Sequence, residues 1–488
     1  MLVDFNVSTK NLPQNADVCV VGSGPAGMTL AMQLEEYGRS VILLEGGGLD
    51  QSRDSQDIYK GEVIGDPYAA LDYARLRYLG GTSGHWGGWC YPMPENVFQK
   101  MDAFKDAYWP IEKKDLDPFL VKALSILEIP QPQNGAIVDN EFGIKQTSIL
   151  ISRVRFGQKY RERLTSSQNI TCVTNANLTG LETDGSKVVA AIVTNYAGQS
   201  GRVRAKHFIL AMGGIENSRM LLWCNHQAKG KLVDPRAPLG RYWMEHLAMK
   251  IGYALVDFKY QRHDRHVPQL VLGLTDTVKR KLSVLDCSFV LEQVSSESTK
   301  ALLRDLLCIA PTAGEWVASL AKKNIVCGTL LSAEWEQEPI WNNYVKLSET
   351  KRDRFGIPLT ELHWKKTDRD LATLQKSLSQ LNDCLMTKNR GRIKLMAETR
   401  GRMERDDKEF GIDGWAIGGD EGISFHHMGG TRMAQMVENG VVDSNCRVFG
   451  QGNLYVAGSS VFPSGGAANP TLTIVQLSLR LAEHLRSA

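Results

Sequence analysis

The chain has 488 residues with a formal net charge of +3 and nine scattered cysteines, none in a C-x-x-C pair. This length predicts roughly two to four domain-sized units, and so small a charge argues against nucleic acid or an acidic membrane surface as a partner. The cysteines fit a reduced compartment without disulfides, a zinc site or haem attachment, and no His/Cys/Asp/Glu set has metal-ligand spacing. No apolar run reaches the ~18 residues of a membrane span, and residues 1–15 show no export signal, so we expect a cytoplasmic protein.

A strand, a glycine-rich turn, a helix and a second strand follow one another near the N-terminus. An apolar run over residues 18–21 leads directly into the motif G-x-G-x-x-G at residues 22–27. Apolar residues at helical spacing continue to Gly38, and a second apolar run, residues 40–44, ends at Glu45. This arrangement is the dinucleotide-binding fingerprint in its βαβ context, and a tight turn without a ligand is the alternative interpretation.

Each residue of the fingerprint has a predicted role. Gly22 permits the tight turn, Gly24 lets the backbone approach a pyrophosphate, and Gly27 lets helix and strand pack closely. The pyrophosphate would lie at the helix N-terminus, which favours anions, and Glu45 would accept hydrogen bonds from a ribose hydroxyl. The predicted cofactor contacts in this unit are Gly22, Gly24, Pro25, Ala26, Gly27 and Glu45.

A second glycine-rich segment follows at residues 80–88, with His85 and Trp86 inside it. Its glycine content excludes a stable helix or a good strand. We interpret it as a loop that brings backbone N–H groups close to a flat or anionic group.

The middle of the chain is rich in strand patterns. Runs between residues 169 and 194, separated by turn residues, predict an antiparallel meander. Residues 206–214 then predict a buried strand that returns to the nucleotide-binding sheet, followed by a helix over 216–224. Farther on, strand-like runs (251–258, 283–294, 326–335) alternate with helical runs (300–307, 368–385), and 343–358 reads as strand, turn, strand.

The last seventy or so residues carry dense motifs. Residues 424–433 place His426 and His427 against a glycine turn, and a buried strand over 453–457 ends at Gly458. Asn469-Pro470 then starts a helix over 472–485, whose positive dipole end would point at the preceding loop.

Five segments together resemble the glucose–methanol–choline (GMC) oxidoreductase family over nearly the whole chain. They are residues 22–27 with Glu45, loop 80–88, residues 239–246, His427-x-x-Gly430-Thr431, and Asn469-Pro470-Thr471. The resemblance implies an α/β fold with a Rossmann-like FAD-binding domain built from discontinuous segments, and a substrate domain with an antiparallel sheet flanked by helices. The implied boundaries are 1–90, 165–250 and 415–488 for the first domain, and 91–164 and 251–414 for the second.

The resemblance also implies FAD-dependent oxidation of a CH–OH group, in which a base takes the hydroxyl proton while hydride leaves for flavin N5. An imidazole with a pKa near neutrality suits this task. By motif position His427 is the base, and Asn469, which cannot act as a base, hydrogen-bonds the same hydroxyl. His426 is the alternative base, although an extended segment would point it elsewhere. We expect Glu245 and His246 to be structural.

The His/Asn pair and His85 resemble the pyranose oxidase and sugar dehydrogenase branch of the family most closely. In that branch the position of His85 can bond covalently to the flavin, and packing of His85 and Trp86 beside the flavin is the alternative. The further FAD contacts that the resemblance implies are Gly81, Thr82, His85, Trp86, Gly458, Ser459, Asn469, Pro470 and Thr471.

These patterns predict an enzyme that oxidises a sugar, glycoside or other polyol, with oxygen or another molecule as electron acceptor. A homo-oligomer or a small accessory subunit is compatible with the sequence. A non-redox lyase on the same fold, an NAD(P)-dependent dehydrogenase and a non-catalytic flavin-binding protein are the alternatives.

Overall fold

The structure, a computed structural model, describes residues 1–7, 12–100, 108–132, 135–147, 150–256, 269–292, 329–396, 399 and 423–487. Its strands are β1 (Leu2–Asp4), β2 (Asn15–Val21), β3 (Val41–Leu44), β4 (Gly61–Gly65), β5 (Trp89–Cys90), β6 (Ile137–Asp139), β7 (Ile144–Thr147), β8 (Leu150–Ile151), β9 (Ile170–Thr174), β10 (Asn177–Asp184), β11 (Lys187–Thr194), β12 (Ser200–Leu210), β13 (His246–Val256), β14 (Gln269–Leu274), β15 (Cys287–Glu292), β16 (Thr329–Glu336), β17 (Tyr344–Arg352), β18 (Pro358–Trp364), β19 (Gly391–Leu395) and β20 (Leu454–Val456). Its α-helices are α1 (Pro25–Glu36), α2 (Arg53–Gln56), α3 (Glu95–Phe98), α4 (Leu120–Leu127), α5 (Phe156–Lys159), α6 (Arg161–Ser166), α7 (Glu216–Gln227), α8 (Asp276–Leu282), α9 (Asp368–Thr387) and α10 (Thr471–Arg486).

The first sheet contains the predicted nucleotide-binding unit. Its strand order is β1-β9-β3-β2-β12-β11-β10, with β20 also paired to β12. Strands β2, β3, β9, β12 and β20 are parallel where they meet. The apolar runs that form β2 and β3 are buried because helices cover a parallel sheet. The expected Rossmann-like architecture is confirmed.

Strand β12 joins the meander to this sheet. Its first residues, 200–203, pair antiparallel with β11, and residues 204–210 pair parallel with β2. A single long strand therefore carries the chain from the meander back to the nucleotide-binding edge, as the sequence predicts. The meander begins later than predicted, because the first run assigned to it, residues 170–174, forms β9, which pairs parallel with β1 and β3.

The second sheet is antiparallel throughout and has the order β19-β13-β16-β15-β14-β7-β6. Helix α9 packs on β15, β16 and β19, and its leucines share a second hydrophobic core with the inward side chains of the sheet. This confirms the antiparallel sheet flanked by a helix. The predicted helix over 300–307 lies outside the described residues.

Two segments pack against residues assigned to the other domain by the implied boundaries. Strand β4 pairs with β18 in a three-stranded sheet with β17, although it falls within the first segment assigned to the FAD-binding domain. Helix α4, assigned to the substrate domain, contacts α10 and buries its apolar face in the core of the first sheet. These tertiary contacts join segments that are distant in sequence, so motif order could not reveal them.

None of the helices in the described part of the chain is both long and apolar enough to span a membrane.

Candidate active site

The turn between β2 and α1 depends on its glycines for space. Gly22 has φ +104°, and a Cβ there would lie 2.4 Å from the Ala211 carbonyl oxygen. A Cβ on Gly27 would lie 1.9 Å from the Gly22 carbonyl oxygen, so helix and strand pack as closely as the fingerprint requires. A Cβ on Gly24 would meet no described atom within 4 Å. Gly24 therefore borders open space at the N-terminus of α1, where Pro25 and the backbone N–H groups after it begin the helix.

A hydrogen-bond network joins three of the predicted cofactor segments. Ser23 donates from both its N–H and its Oγ to Glu45 Oε2, at 3.1 and 2.6 Å. The Gly47 N–H donates to Glu45 Oε1 at 2.8 Å, and the Gly80 N–H donates to Ser23 Oγ at 3.1 Å. Since each carboxylate oxygen has two lone pairs, Glu45 keeps capacity for a ribose hydroxyl.

The second glycine loop lies over this turn. A Cβ on Gly81 would lie 3.5 Å from the Gly24 Cα. Trp86 anchors the loop by donating from its indole Nε1 to a backbone carbonyl at 2.9 Å, whereas Thr82 and His85 are exposed. The loop thus reaches the fingerprint, with His85 on its accessible side.

The ends of β12 and β20 complete the same edge of the sheet. Gly213, after β12, has φ +91° and borders open space, and Gly458, after β20, has φ +107°. Asn217 ties the two strand ends together by accepting a hydrogen bond from the backbone of one and donating to the backbone of the other. Ser459 Oγ donates to the His427 carbonyl oxygen at 2.5 Å, which places the histidine segment at this edge.

The two adjacent histidines point into different environments. His427 is buried, its Nε2 lies 3.0 Å from the Tyr68 hydroxyl, and its ring centroid lies 5.8 Å from that of Trp243. Burial, aided by the positive charge of Arg75, lowers the pKa of His427 to about 3. An imidazole with so low a pKa is a weak base and is poorly matched to proton abstraction near neutrality.

Tyr68 links His427 to a buried carboxyl group. The Tyr68 hydroxyl donates to Glu245 Oε2 at 2.5 Å, and Glu245 Oε1 accepts the backbone N–H groups of His246 and His426 at 2.9 and 2.5 Å. Burial raises the pKa of Glu245 to about 7, although these hydrogen bonds oppose the rise. Glu245 therefore fixes the backbone from which both active-site imidazoles, His246 and His426, project.

His426 faces Asn469. Its Nε2 lies 3.2 Å from Asn469 Nδ2, and its Nδ1 lies 3.0 Å from His246 Nδ1. Glu334 Oε1 lies 3.0 Å from His426 Nδ1 and 3.3 Å from His246 Nδ1. Burial opposes ionisation of Glu334, but the two imidazoles outweigh it and hold the pKa of this carboxyl well below its usual range.

Strand β16 supplies two carboxylates to this region because alternate residues of a strand share a face. Glu334 is one, and Glu336, two positions on, is the other. Glu336 Oε1 accepts the backbone N–H groups of Gly465 and Gly466 at 3.2 and 2.9 Å. It thereby holds the segment that leads into Asn469 and Pro470, after which α10 begins at Thr471.

Three buried polar atoms at this site lack a hydrogen-bond partner among the described residues: Asn469 Oδ1, His246 Nε2 and Glu334 Oε1. Unpaired buried polar atoms are costly in a folded protein and usually meet water or a ligand. When His426 Nδ1–H donates to His246 Nδ1, His426 Nε2 accepts from the Asn469 amide, and Asn469 Oδ1 and His246 Nε2–H stay available as acceptor and donor. The site then offers donors and acceptors for more than one hydroxyl group.

The sequence prediction and the structure differ in how they pair these residues. The motif paired Asn469 with His427, whereas the structure pairs it with His426. Glu245 and His246, expected to be structural, lie at the site, and Tyr68 and Glu334 were missed. The only available signal was the alternation of Glu334 and Glu336 in a strand-like run.

The fold also brings together a set of metal-ligand types that spacing in the sequence did not predict. His246, Glu334 and His426 each place one ligand atom within 4.8 Å of the others. They come from β13, β16 and the histidine segment, so no short motif contains them.

The residues fit an FAD molecule. A cleft lined by Gly22, Glu45, Arg77 and Met212 runs beside the fingerprint, and the backbone at Gly24 and at Gly213 borders open space. A helix N-terminus and a buried acid at the carboxyl ends of parallel strands are the parts that a dinucleotide site requires.

Two family models match the chain. One, described as GMC oxidoreductase, covers residues 339–478, and one, described as FAD binding domain, covers residues 15–55. The two matched regions contain the βαβ fingerprint and the His–Asn segment.

Full-length relatives are similar in sequence. A C-glycoside 3-oxidase of Microbacterium trichothecenolyticum is 23% identical over 98% of both chains. The fructose dehydrogenase large subunit of Gluconobacter japonicus is 21% identical over 96% of this chain and 97% of its own. A 6'''-hydroxyparomomycin C oxidase of Streptomyces lividus is 24% identical over 96% and 91%.

Solved structures share the fold. Formate oxidase from Aspergillus oryzae RIB40 aligns with a TM-score of 0.58 at 15% identity, over 97% of this chain and 98% of its own. Pyridoxine 4-oxidase from Mesorbium loti aligns with a TM-score of 0.57 at 16% identity, over 96% and 99%. Since the two models match the cofactor edge and the histidine segment, the chain contains a GMC oxidoreductase domain and an FAD-binding domain.

Proposed function

We propose that this enzyme oxidises a CH–OH group of a sugar or glycoside to the carbonyl. The observation that carries the proposal is the His426–Asn469 pair, which lies beside unpaired buried polar atoms suited to hydroxyl groups. Three full-length relatives are named for action on a C-glycoside, on fructose and on hydroxyparomomycin. These names support a substrate with several hydroxyls, which the donors and acceptors around Asn469 could bind.

FAD bound along the glycine-lined edge supplies the two-electron acceptor for the hydride that leaves the substrate carbon. In the proposed site residues 22–27 would hold the pyrophosphate and Glu45 would hold the ribose. Loop residues 81–86, Gly458, Ser459 and residues 469–471 would bind the rest of the cofactor.

His426 is the proposed base. Its Nε2 accepts the hydroxyl proton of the substrate, which Asn469 positions through a hydrogen bond. The imidazolium that forms is stabilised by the buried Glu334 carboxylate, 3.0 Å from Nδ1. A buried carboxylate this close to the imidazole of a base stabilises its charged form.

His427 is the second candidate, because its position in the H-x-x-G-T segment matches the base of the family. Its Nε2 contacts the Tyr68 hydroxyl rather than Asn469, and its side chain is more deeply buried than that of His426. The two histidines make opposite predictions for single variants.

Anaerobic reduction of the FAD absorbance by a panel of pyranoses, glycosides and polyols tests both the reaction and the base. His426→Ala should slow the reduction at saturating substrate by at least about 100-fold, the usual contribution of a general base, while FAD stays bound. His427→Ala should slow it much less, and His226→Ala, an exposed histidine on α7, should not change it. A larger loss in His427→Ala than in His426→Ala would transfer the role to His427.

The same experiment separates the remaining alternatives. A yellow protein that no alcohol bleaches would contradict the proposed oxidation and favour a lyase or a non-catalytic flavoprotein. Admitting air after reduction shows whether oxygen is an efficient electron acceptor. An accessory subunit and a cytoplasmic location stay predictions, and size-exclusion chromatography and cell fractionation test them.

A further inference from the structure

Three side chains from separate parts of the chain converge on one point beside Asn469. His246 Nδ1 and His426 Nδ1 lie 3.0 Å apart, and Glu334 Oε1 lies 3.3 and 3.0 Å from them. These three atoms, one from each residue, form a nearly equilateral triangle. His246 is fully buried, whereas Glu334 and His426 are partly accessible, so a small solute can reach the triangle.

Hydrogen bonds alone leave this triangle unsatisfied. A single proton can lie between the two Nδ1 atoms, and Glu334 Oε1 makes no aligned hydrogen bond to any described residue. Both Nδ1 atoms lie within 3.3 Å of Glu334 Oε1, but neither contact has the angles of a hydrogen bond. A buried carboxylate oxygen without a partner costs free energy that a cation at the centre of the triangle would recover.

The dimensions match a metal ion. Tetrahedral or octahedral coordination at about 2.1 Å places neighbouring ligand atoms about 3.0–3.4 Å apart, which spans the three observed separations. An ion at that distance from all three atoms would lie about 1 Å out of their plane, leaving its other positions open. Two imidazoles and one carboxylate favour zinc and other divalent first-row transition metals over magnesium or calcium.

We propose that His246, Glu334 and His426 bind a divalent transition-metal ion such as Zn²⁺, and that the bound ion inhibits the oxidation. Binding requires an unprotonated Nδ1 on each histidine, so neutral His426 then carries its proton on Nε2. An Nε2–H group donates and cannot accept the substrate proton. The inhibitory part rests on the proposed role of His426 as the base, whereas metal binding itself does not.

Metal binding is measured first, without substrate, by titrating the metal-free, FAD-loaded enzyme with Zn²⁺ in a calorimeter. We expect one site, with affinity reduced at least about tenfold in His246→Ala and in Glu334→Gln, as for loss of a ligand. Glu334→Gln keeps the size of the side chain, and His226→Ala serves as the matched histidine control. Absence of binding by the wild-type enzyme, or binding by the two ligand variants as tight as that of wild type, would overturn the proposal.

Inhibition is measured on anaerobic reduction of the bound FAD. Zn²⁺ should slow the wild-type reaction and EDTA should restore it, while the residual rate of His246→Ala should respond to zinc only at concentrations at least about tenfold higher. Zinc that occupies this site without slowing reduction would overturn the inhibitory role and would count against His426 as the base. If no alcohol reduces the flavin, the oxidation proposal fails while the calorimetric result still decides the metal site.

Discussion

Residues that are adjacent in sequence can lie in different surroundings. His426 and His427 share a motif, yet one lies in a polar cluster with Asn469 and Glu334, and the other in an aromatic pocket with Tyr68. Phe425, immediately before them, takes a positive φ, which is uncommon for a residue with a side chain. Motif position alone identifies the segment but not which of its imidazoles meets the substrate.

His85 carries the residue-level prediction about the cofactor. It is exposed on the loop that lies over the fingerprint, and a covalent bond to the flavin there stays a prediction from the family resemblance. We expect acid-precipitated wild-type protein to keep its yellow colour and His85→Ala to release its flavin into the supernatant. His226→Ala should behave like wild type. Full release from the wild-type protein would disprove the covalent bond, leaving His85 as a packing residue.

At the scale of elements, the strand–turn–helix unit separates two uses of glycine. A Cβ on Gly24 would enter open space, whereas a Cβ on Gly27 would collide with the Gly22 carbonyl oxygen at 1.9 Å. Gly24 also has φ −67° and ψ −176°, which any residue can adopt. We therefore predict that Gly24 is needed for cofactor binding and Gly27 for folding.

This difference predicts opposite outcomes for two similar substitutions. Gly24→Ala should keep the melting temperature of the FAD-free protein within about 2 °C of wild type but weaken FAD binding at least about tenfold, since the methyl group occupies cofactor space. Gly27→Ala should destabilise the FAD-free protein by more than about 2 kcal/mol through overpacking. Thermal unfolding of the stripped proteins and fluorescence titration with FAD measure both. A Gly24→Ala protein that binds FAD normally would place the pyrophosphate elsewhere.

The sequence predicted those elements whose signals are local. The β2–α1–β3 unit, the meander β10–β12, the hairpin β17–β18 and the helices α9 and α10 all have strong periodicity, turn residues or caps, and the structure contains them. The site was only partly predictable, because Tyr68, His246 and Glu334 meet His426 and His427 through tertiary contacts. Tyr68 and Glu334 have ordinary neighbours in sequence, and His246 lies in a family segment that gives no sign of its partners. A single chain carries no record of which distant strands pair.

Across the whole molecule, buried charges connect segments that lie far apart in sequence. Arg219, on α7, donates to Glu216 at 2.8 Å and to Asp353, in the turn before β18, at 2.6 Å. Arg75 donates to the other oxygen of Glu216 at 3.1 Å. Such networks are costly to break because removing one partner leaves an unpaired buried charge, so they fix how the hairpin sits on the nucleotide-binding unit.

Glu245 links the beginning of the second sheet to the histidine segment and has a different electrostatic consequence. Its pKa is about 7 in the folded protein because of burial, against 4.5 for an ordinary glutamate. The folded state therefore holds a proton that the unfolded chain releases. The stability from this group is fully present below pH 4.5 and is lost as pH rises through about 7.

Replacing Glu245 with glutamine should remove this pH dependence while keeping the size of the side chain and a carbonyl oxygen for the backbone N–H groups. Up to about 3 kcal/mol of the change in unfolding free energy between about pH 4.5 and pH 8 should disappear, since each pKa unit corresponds to about 1.4 kcal/mol. Burial also raises the pKa of Asp370, at the start of α9, to about 7. Wild type and variant both retain that group, so the difference between their urea-unfolding curves, measured across this pH range, isolates Glu245. Parallel pH profiles for the two proteins would show that the pKa of Glu245 is not raised in the folded state. The pH dependence of stability would then have to come from another group.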